Sequence, residues 1–119
     1  MRILLDDDTP IGVRRILAGH DVRRVTQMGW GGLSNSDLLN AAENAGFEAF
    51  VTCDQNIMFQ QNITGRKIAV VVLSTNRWAA IRPQPQRVLQ AVANASPGTF
   101  TYATIGRPRR SRPALDLKC

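Results

Sequence analysis

The stretch Ile68-Ala69-Val70-Val71-Val72-Leu73 is six apolar residues in succession, rich in β-branched side chains. A run with no polar alternation belongs to a strand buried on both faces, as strands in the middle of a parallel sheet are. Outward from it, short β-like runs alternate with helical ones: Arg2 to Leu5, Asp21 to Val25, Ala49 to Thr52 and Thr99 to Ile105 read as four further strands. Such alternation predicts an α/β fold with a mostly parallel central sheet and helices on both faces.

Between the strands the helix signals are local. Thr9-Pro10 gives a helix start, with Asp8 or Thr9 available as cap and Pro at the first helical position, and Ile11, Arg14, Arg15 and Leu17 follow before Gly19. The spacing favours Asp8 as a helix cap over a ligand. Gly29-Trp30-Gly31-Gly32 is a turn, since three glycines in four positions weaken either regular element. Ser34 to Asp37 forms a capping box that opens a helix with Leu38, Ala41, Ala42 and Ala45 on one face and Gly46 as its stop. Gln55 to Asn62 reads as one or two irregular helical turns. Asn76 to Ala95 reads as mostly helical, interrupted at Pro83 and Pro85, with Val88, Leu89 and Val92 facing inward.

The 119 residues suit one domain that builds its core without disulfides. The net charge of +6 is uneven: Gly106 to Cys119 holds five of the fifteen Lys and Arg, leaving the rest at +2. The chain therefore divides into a domain, 1–105, and a basic tail, 106–119, in which Arg107, Arg109, Arg110 and Arg112 are candidates for nucleic-acid contact. A solubilising, disordered tail is the alternative reading. Cys53 and Cys119 are no disulfide framework, and no apolar run approaches the length of a membrane span or a signal peptide. A cytoplasmic protein with no membrane partner is the expectation.

Chemistry is concentrated in the acids. Asp6-Asp7-Asp8 directly follows the strand run Ile3-Leu4-Leu5, and neighbouring carboxylates repel unless a partner, most often a divalent cation, neutralises them. Ligands of open α/β sheets bind at the carboxyl ends of strands, which is where this cluster falls. Asp54 follows the third strand and Asp37 opens a helix, so Asp6, Asp7, Asp37 and Asp54 are the candidate metal ligands, with Thr52 and Asn56 as hydrogen-bonding supports. Hard oxygen ligands suit Mg²⁺ or Mn²⁺. His20 reads as a turn residue, Cys53 as a small filler, and Trp30 as core packing ahead of a face for an unpaired base.

The opening Ile3-Leu4-Leu5-Asp6-Asp7, the step Gly19-His20-Asp21-Val22, Asp37 at a helix start and Val51-Thr52-x-Asp54-x-Asn56 together resemble the small PIN-like nucleases of bacteria, a branch often found as toxins of toxin-antitoxin pairs. The resemblance spans about residues 1 to 75. It implies a three-layer α/β/α fold and a metal-dependent ribonuclease in which Asp6, Asp37 and Asp54 hold Mg²⁺ or Mn²⁺, with Asp7 where such proteins carry a second acid. RNA and a cognate antitoxin are the implied partners; a homodimer is left open. Asp8 stands where the branch often has asparagine, and Asn56 where many members have aspartate. A second resemblance, to phospho-acceptor receiver domains, rests on the acids after strand one, Asp54 after strand three and Ser74-Thr75 after strand four. The short link from Asp54 to the next strand, and Ile105-Gly106-Arg107 in place of a lysine, count against it. A PIN-like fold kept for binding alone is a third reading.

Overall fold

The computed structural model describes residues 1–106. The tail arginines Arg107, Arg109, Arg110 and Arg112 lie outside the described residues. Five strands, β1 (Arg2–Leu5), β2 (Asp21–Arg24), β3 (Ala49–Thr52), β4 (Ala69–Leu73) and β5 (Phe100–Ala103), form one sheet in the order β2-β1-β3-β4-β5. Every pairing is parallel. The helices are α1 (Gly12–Ile16), α2 (Asn35–Asn44), α3 (Ile57–Gln60), α4 (Trp78–Ile81) and α5 (Pro85–Asn94).

Strand side chains alternate between two cores, as the period of two requires. Ile3, Leu5, Val51, Val71 and Leu73 pack with Val13 and Leu17 around α1, Ala80 and Ile81 of α4, and Val88 and Val92 of α5. Leu4, Phe50, Val70 and Val72 turn the other way, onto Leu38, Leu39 and Ala42 of α2 and Ile57 of α3. The sheet is thus the middle of three layers, with α1, α4 and α5 on one side and α2 and α3 on the other. β4 is buried at all five positions, as a continuous apolar run demands.

Four local expectations need correction. α1 begins at Gly12 with no side-chain cap, because the chain after Pro10 first makes a turn in which the Val13 N–H bonds the Pro10 carbonyl. The second strand ends at Arg24, and Thr26–Met28 tightens into a 3-10 turn. The 76–95 segment is two helices, since neither Pro83 nor Pro85 can donate to a preceding turn; Pro85 instead opens α5. Leu89 is exposed, and Ala91 takes the inward place beside Val88 and Val92. α2, by contrast, is capped as expected: the Asp37 N–H donates to Ser34 Oγ at 3.3 Å. Beyond its last turn Gly46 adopts φ +84°, a left-handed value that favours glycine.

Gly12 has a different role. A Cβ there would lie 2.3 Å from the Trp78 ring, so only a glycine lets α1 and α4 approach this closely.

Candidate functional site

The parallel ladder carries β1 and β3 to a common carboxyl edge, with Leu5 opposite Val51. One step further the Asp6 N–H donates to the Val51 carbonyl at 2.9 Å, so the pairing continues into the first acid. Thr9 then closes a turn: its N–H and its hydroxyl both bond the Asp6 carbonyl, at 3.1 and 2.6 Å. That turn folds Asp8 back toward β3.

Thr52, fully buried at the end of β3, organises the site. Its hydroxyl lies 2.7 Å from Asp6 Oδ2 and 3.3 Å from Asp8 Oδ2, which puts those two carboxylate oxygens within about 6 Å of each other. The same Oγ1 accepts the Asp54 N–H at 3.0 Å. Asp8 takes a second bond from the Cys53 N–H at 3.1 Å, and Asp6 Oδ1 takes one from the Asp7 N–H at 2.9 Å. Asp54 folds over the next residues, its Oδ1 accepting the Asn56 N–H at 3.0 Å.

Electrostatics follow from this crowding. Burial, reinforced by the charges of Asp7 and Asp54, pushes the Asp6 carboxyl above its ordinary value despite the bonds from Thr52 and Asp7. Burial and then the charge of Asp6 do the same to Asp8, with Asp54 adding to it. The Cys53 thiol between them is pushed up to about 12 by burial and by Asp8 and Asp6. Its Sγ points to the Thr75 carbonyl, 3.5 Å away, and it packs against the α1 side of the core.

The acids expected from the sequence are not all gathered. Asp7 turns toward β2: its Oδ1 accepts from the Thr26 N–H at 3.3 Å and the Thr26 hydroxyl at 3.0 Å, and Arg24 Nη2 lies 3.9 Å away. Asp37 stands exposed in the first turn of α2, its N–H on Ser34. Thr52 supports the acids as expected, whereas Asn56 does so through its backbone. Asp8 is the acid that sequence reasoning set aside. Pro10 made it look like a helix cap, but α1 takes no side-chain cap and Asp8 joins Asp6 instead. Phe59, in α3 shortly after Asp54, is 84% exposed, which no pattern in the sequence signals. Trp30 packs edge-on against Phe47, ring centroids 6.0 Å apart, in keeping with a core role.

Among the described residues no group of three or more His, Cys, Asp or Glu side chains is placed to hold a metal ion. A closed protein cage is therefore not what these residues build. The Asp6–Asp8 pair does have the donor chemistry of a Mg²⁺ or Mn²⁺ site, because such ions bind through one or two carboxylates and keep waters on their other positions. No helix among the described residues is long and apolar enough to cross a membrane. Comparison with known proteins found no matching family model, no matching curated protein and no matching solved structure.

Proposed function

We propose that the chain is a metal-dependent nuclease of the PIN-like kind that hydrolyses RNA phosphodiester bonds, with Asp6 and Asp8 as its central carboxylates and Asp54 beside them. The observation that carries this reading is the Thr52 hydroxyl shared by Asp6 and Asp8 at the carboxyl edge of β1 and β3. Two carboxylates held together against their repulsion are the arrangement a divalent cation relieves. Asp6 and Asp8 would hold Mg²⁺ or Mn²⁺, which when bound lowers the pKa of a water and stabilises the leaving oxygen.

The chain's own groups have separable tasks. Thr52 fixes the direction of Asp6 Oδ2. The exposed ring of Phe59 offers a stacking surface for an unpaired base, which favours a single-stranded substrate. The same reading takes the protein as cytoplasmic and, in a toxin-antitoxin setting, as the target of a cognate antitoxin.

One observation favours a second reading. The strand order β2-β1-β3-β4-β5 is that of flavodoxin-like proteins, the phospho-acceptor receivers among them, and Asp54 follows β3 as their acceptor does. Against it stand the single helical turn of α3 between β3 and β4 and the step Ile105-Gly106-Arg107 after β5, where such domains place a lysine. Incubating the wild-type chain, Asp6→Asn and Asp54→Asn with a mixed RNA pool in Mn²⁺ or in EDTA separates the two. Cleavage that needs Mn²⁺ and Asp6 supports the nuclease. Phosphate incorporation from acetyl phosphate at Asp54, without cleavage, refutes it.

A further inference from the structure

The charges of this molecule are sorted by layer. All eight acids of residues 1–106 lie in the first 54 positions, and none occurs from Gln55 to Gly106, where an even spread of the chain's nine would put about four. α1, α4 and α5 carry no carboxylate, yet these helices and the two ends of α4 present Arg14, Arg15, Arg77, Arg82 and Arg87, all exposed. Among the described residues the ion pairs engage Arg2, Arg23, Arg24 and Arg66, so none of those five arginines has a carboxylate partner. The opposite layer holds Asp37 and Glu43 on α2, and Glu43 is already taken up by Arg66.

These elements form one continuous surface. They share a single core, in which Val13 of α1 packs with Ala80 and Ile81 of α4 and Val88 of α5. The Trp78 ring seated on Gly12 holds the start of α4 against the start of α1. Arg77, at the start of α4, follows β4 and so stands at the carboxyl end of the sheet, the end that carries Asp6, Asp8 and Asp54.

We infer that the α1–α4–α5 face is a docking surface for the phosphate backbone of a nucleic acid, leading from the arginines toward the acid-lined edge. Five like charges without counter-charges repel one another and are relieved by a polyanion. All five are arginines, whose planar guanidinium forks match phosphate oxygens in pairs where lysine acts only as a point charge. A lipid surface is the poorer match: the apolar stripes of these helices are turned inward, and only Leu89 on α5 and Ile11 at the start of α1 are large exposed apolar side chains of this face. The inference deepens the nuclease reading by giving it a substrate track, yet binding can be measured where cleavage is blocked.

The test is fluorescence anisotropy of a labelled single-stranded RNA in EDTA, titrated with the full chain at several KCl concentrations. Arg15→Gln/Arg87→Gln removes two charges from this face, and Arg23→Gln/Lys67→Gln removes two elsewhere. The face variant is expected to bind about tenfold more weakly near 100 mM salt and to lower the slope of log K against log salt by about 1.4, close to 0.7 per lost contact to single strands. The control variant should stay within about twofold. Equal losses in both variants, or none in the face variant, overturn the inference. So does tighter, Arg15- and Arg87-dependent binding to phosphatidylserine vesicles than to RNA. Binding that survives with no cleavage by the wild-type chain keeps this surface while ending the nuclease reading.

Discussion

Thr52 donates its hydroxyl to Oδ2 of Asp6 at 2.7 Å, across 46 residues of sequence. That one bond turns a repulsive acidic triplet into an ordered site, because Thr52 also reaches Asp8 and receives the Asp54 N–H. A hydroxyl has one proton and two lone pairs, so it can serve a carboxylate and an amide together, which no apolar residue of similar volume can do.

Thr52→Val should therefore leave the Asp54 N–H and the two carboxylates short of a partner, costing about 1–3 kcal/mol of stability and most of any cleavage activity. Thr52→Ser keeps the oxygen and should retain activity. Denaturant melts and cleavage rates of the pair check this; a fully active valine variant would remove Thr52 from the mechanism.

Asp6 and Asp8 make the metal-free protein sensitive to pH in a definite direction. Both carboxyls sit above their ordinary value, so the folded chain holds protons that the unfolded chain has already released. Their contribution to stability is present at acid pH and is lost as pH rises from near 3.8 through the raised values. Asp6→Asn or Asp8→Asn should consequently raise the neutral-pH Tm by about 2–4 °C while lowering activity, the increment being small because solvent screens a half-exposed pair. Thermal melts from pH 4 to 8 in EDTA are the measurement. A lower Tm at neutral pH would contradict the strain assigned to the pair.

Asp7 and Asp8 are separable by the same approach. Mn²⁺ should raise the Tm of the wild-type chain and of Asp7→Asn, since Asp7 is turned to Thr26 and Arg24. The rise should be missing from Asp8→Asn. The reverse pattern would restore Asp7 as the ligand.

Cys53 reports on the same charges. With the thiol held near 12 against an ordinary 9.0, its thiolate fraction at pH 8 falls roughly a thousandfold, and alkylation slows with it. In a Cys119→Ser background the folded protein should react with iodoacetamide far more slowly than the unfolded chain. Asp8→Asn should speed the folded rate.

Gly12→Ala would drive a methyl into the Trp78 ring. A loss of about 1–3 kcal/mol is expected from forced overpacking, and Trp78→Leu should relieve it, so that the two changes combine non-additively. Urea melts of the two single variants and the double variant form the cycle.

Much of this architecture is legible in the residues themselves. A short unbroken apolar run this rich in β-branched residues favours a doubly covered strand, and β4 is one; Ser34 and Gly46 mark the ends of α2 because caps and left-handed turns are local chemistry. The errors arise where tertiary contacts outweigh local rules. Pro10 signals a helix start and makes Asp8 look like its cap, but only the presence of β3 alongside β1 reveals Thr52 and the Cys53 amide as competing partners. Helical spacing places Leu89 inward only within the error of a helix's first residue, and Pro83 and Pro85 leave that start ambiguous. The direction of Asp7 depends on Thr26, whose approach follows from the 3-10 turn after β2 and from no motif in the sequence.

The Asp6 amide hangs on the Val51 carbonyl, so the acidic pair inherits its geometry from strand docking and has none before it. A nascent chain that has emitted β1 but not β3 holds three adjacent carboxylates facing water and nothing to aim them. Folding of the sheet and assembly of the acidic pair are thus one event, and any local opening that peels β1 from β3 also undoes the pair.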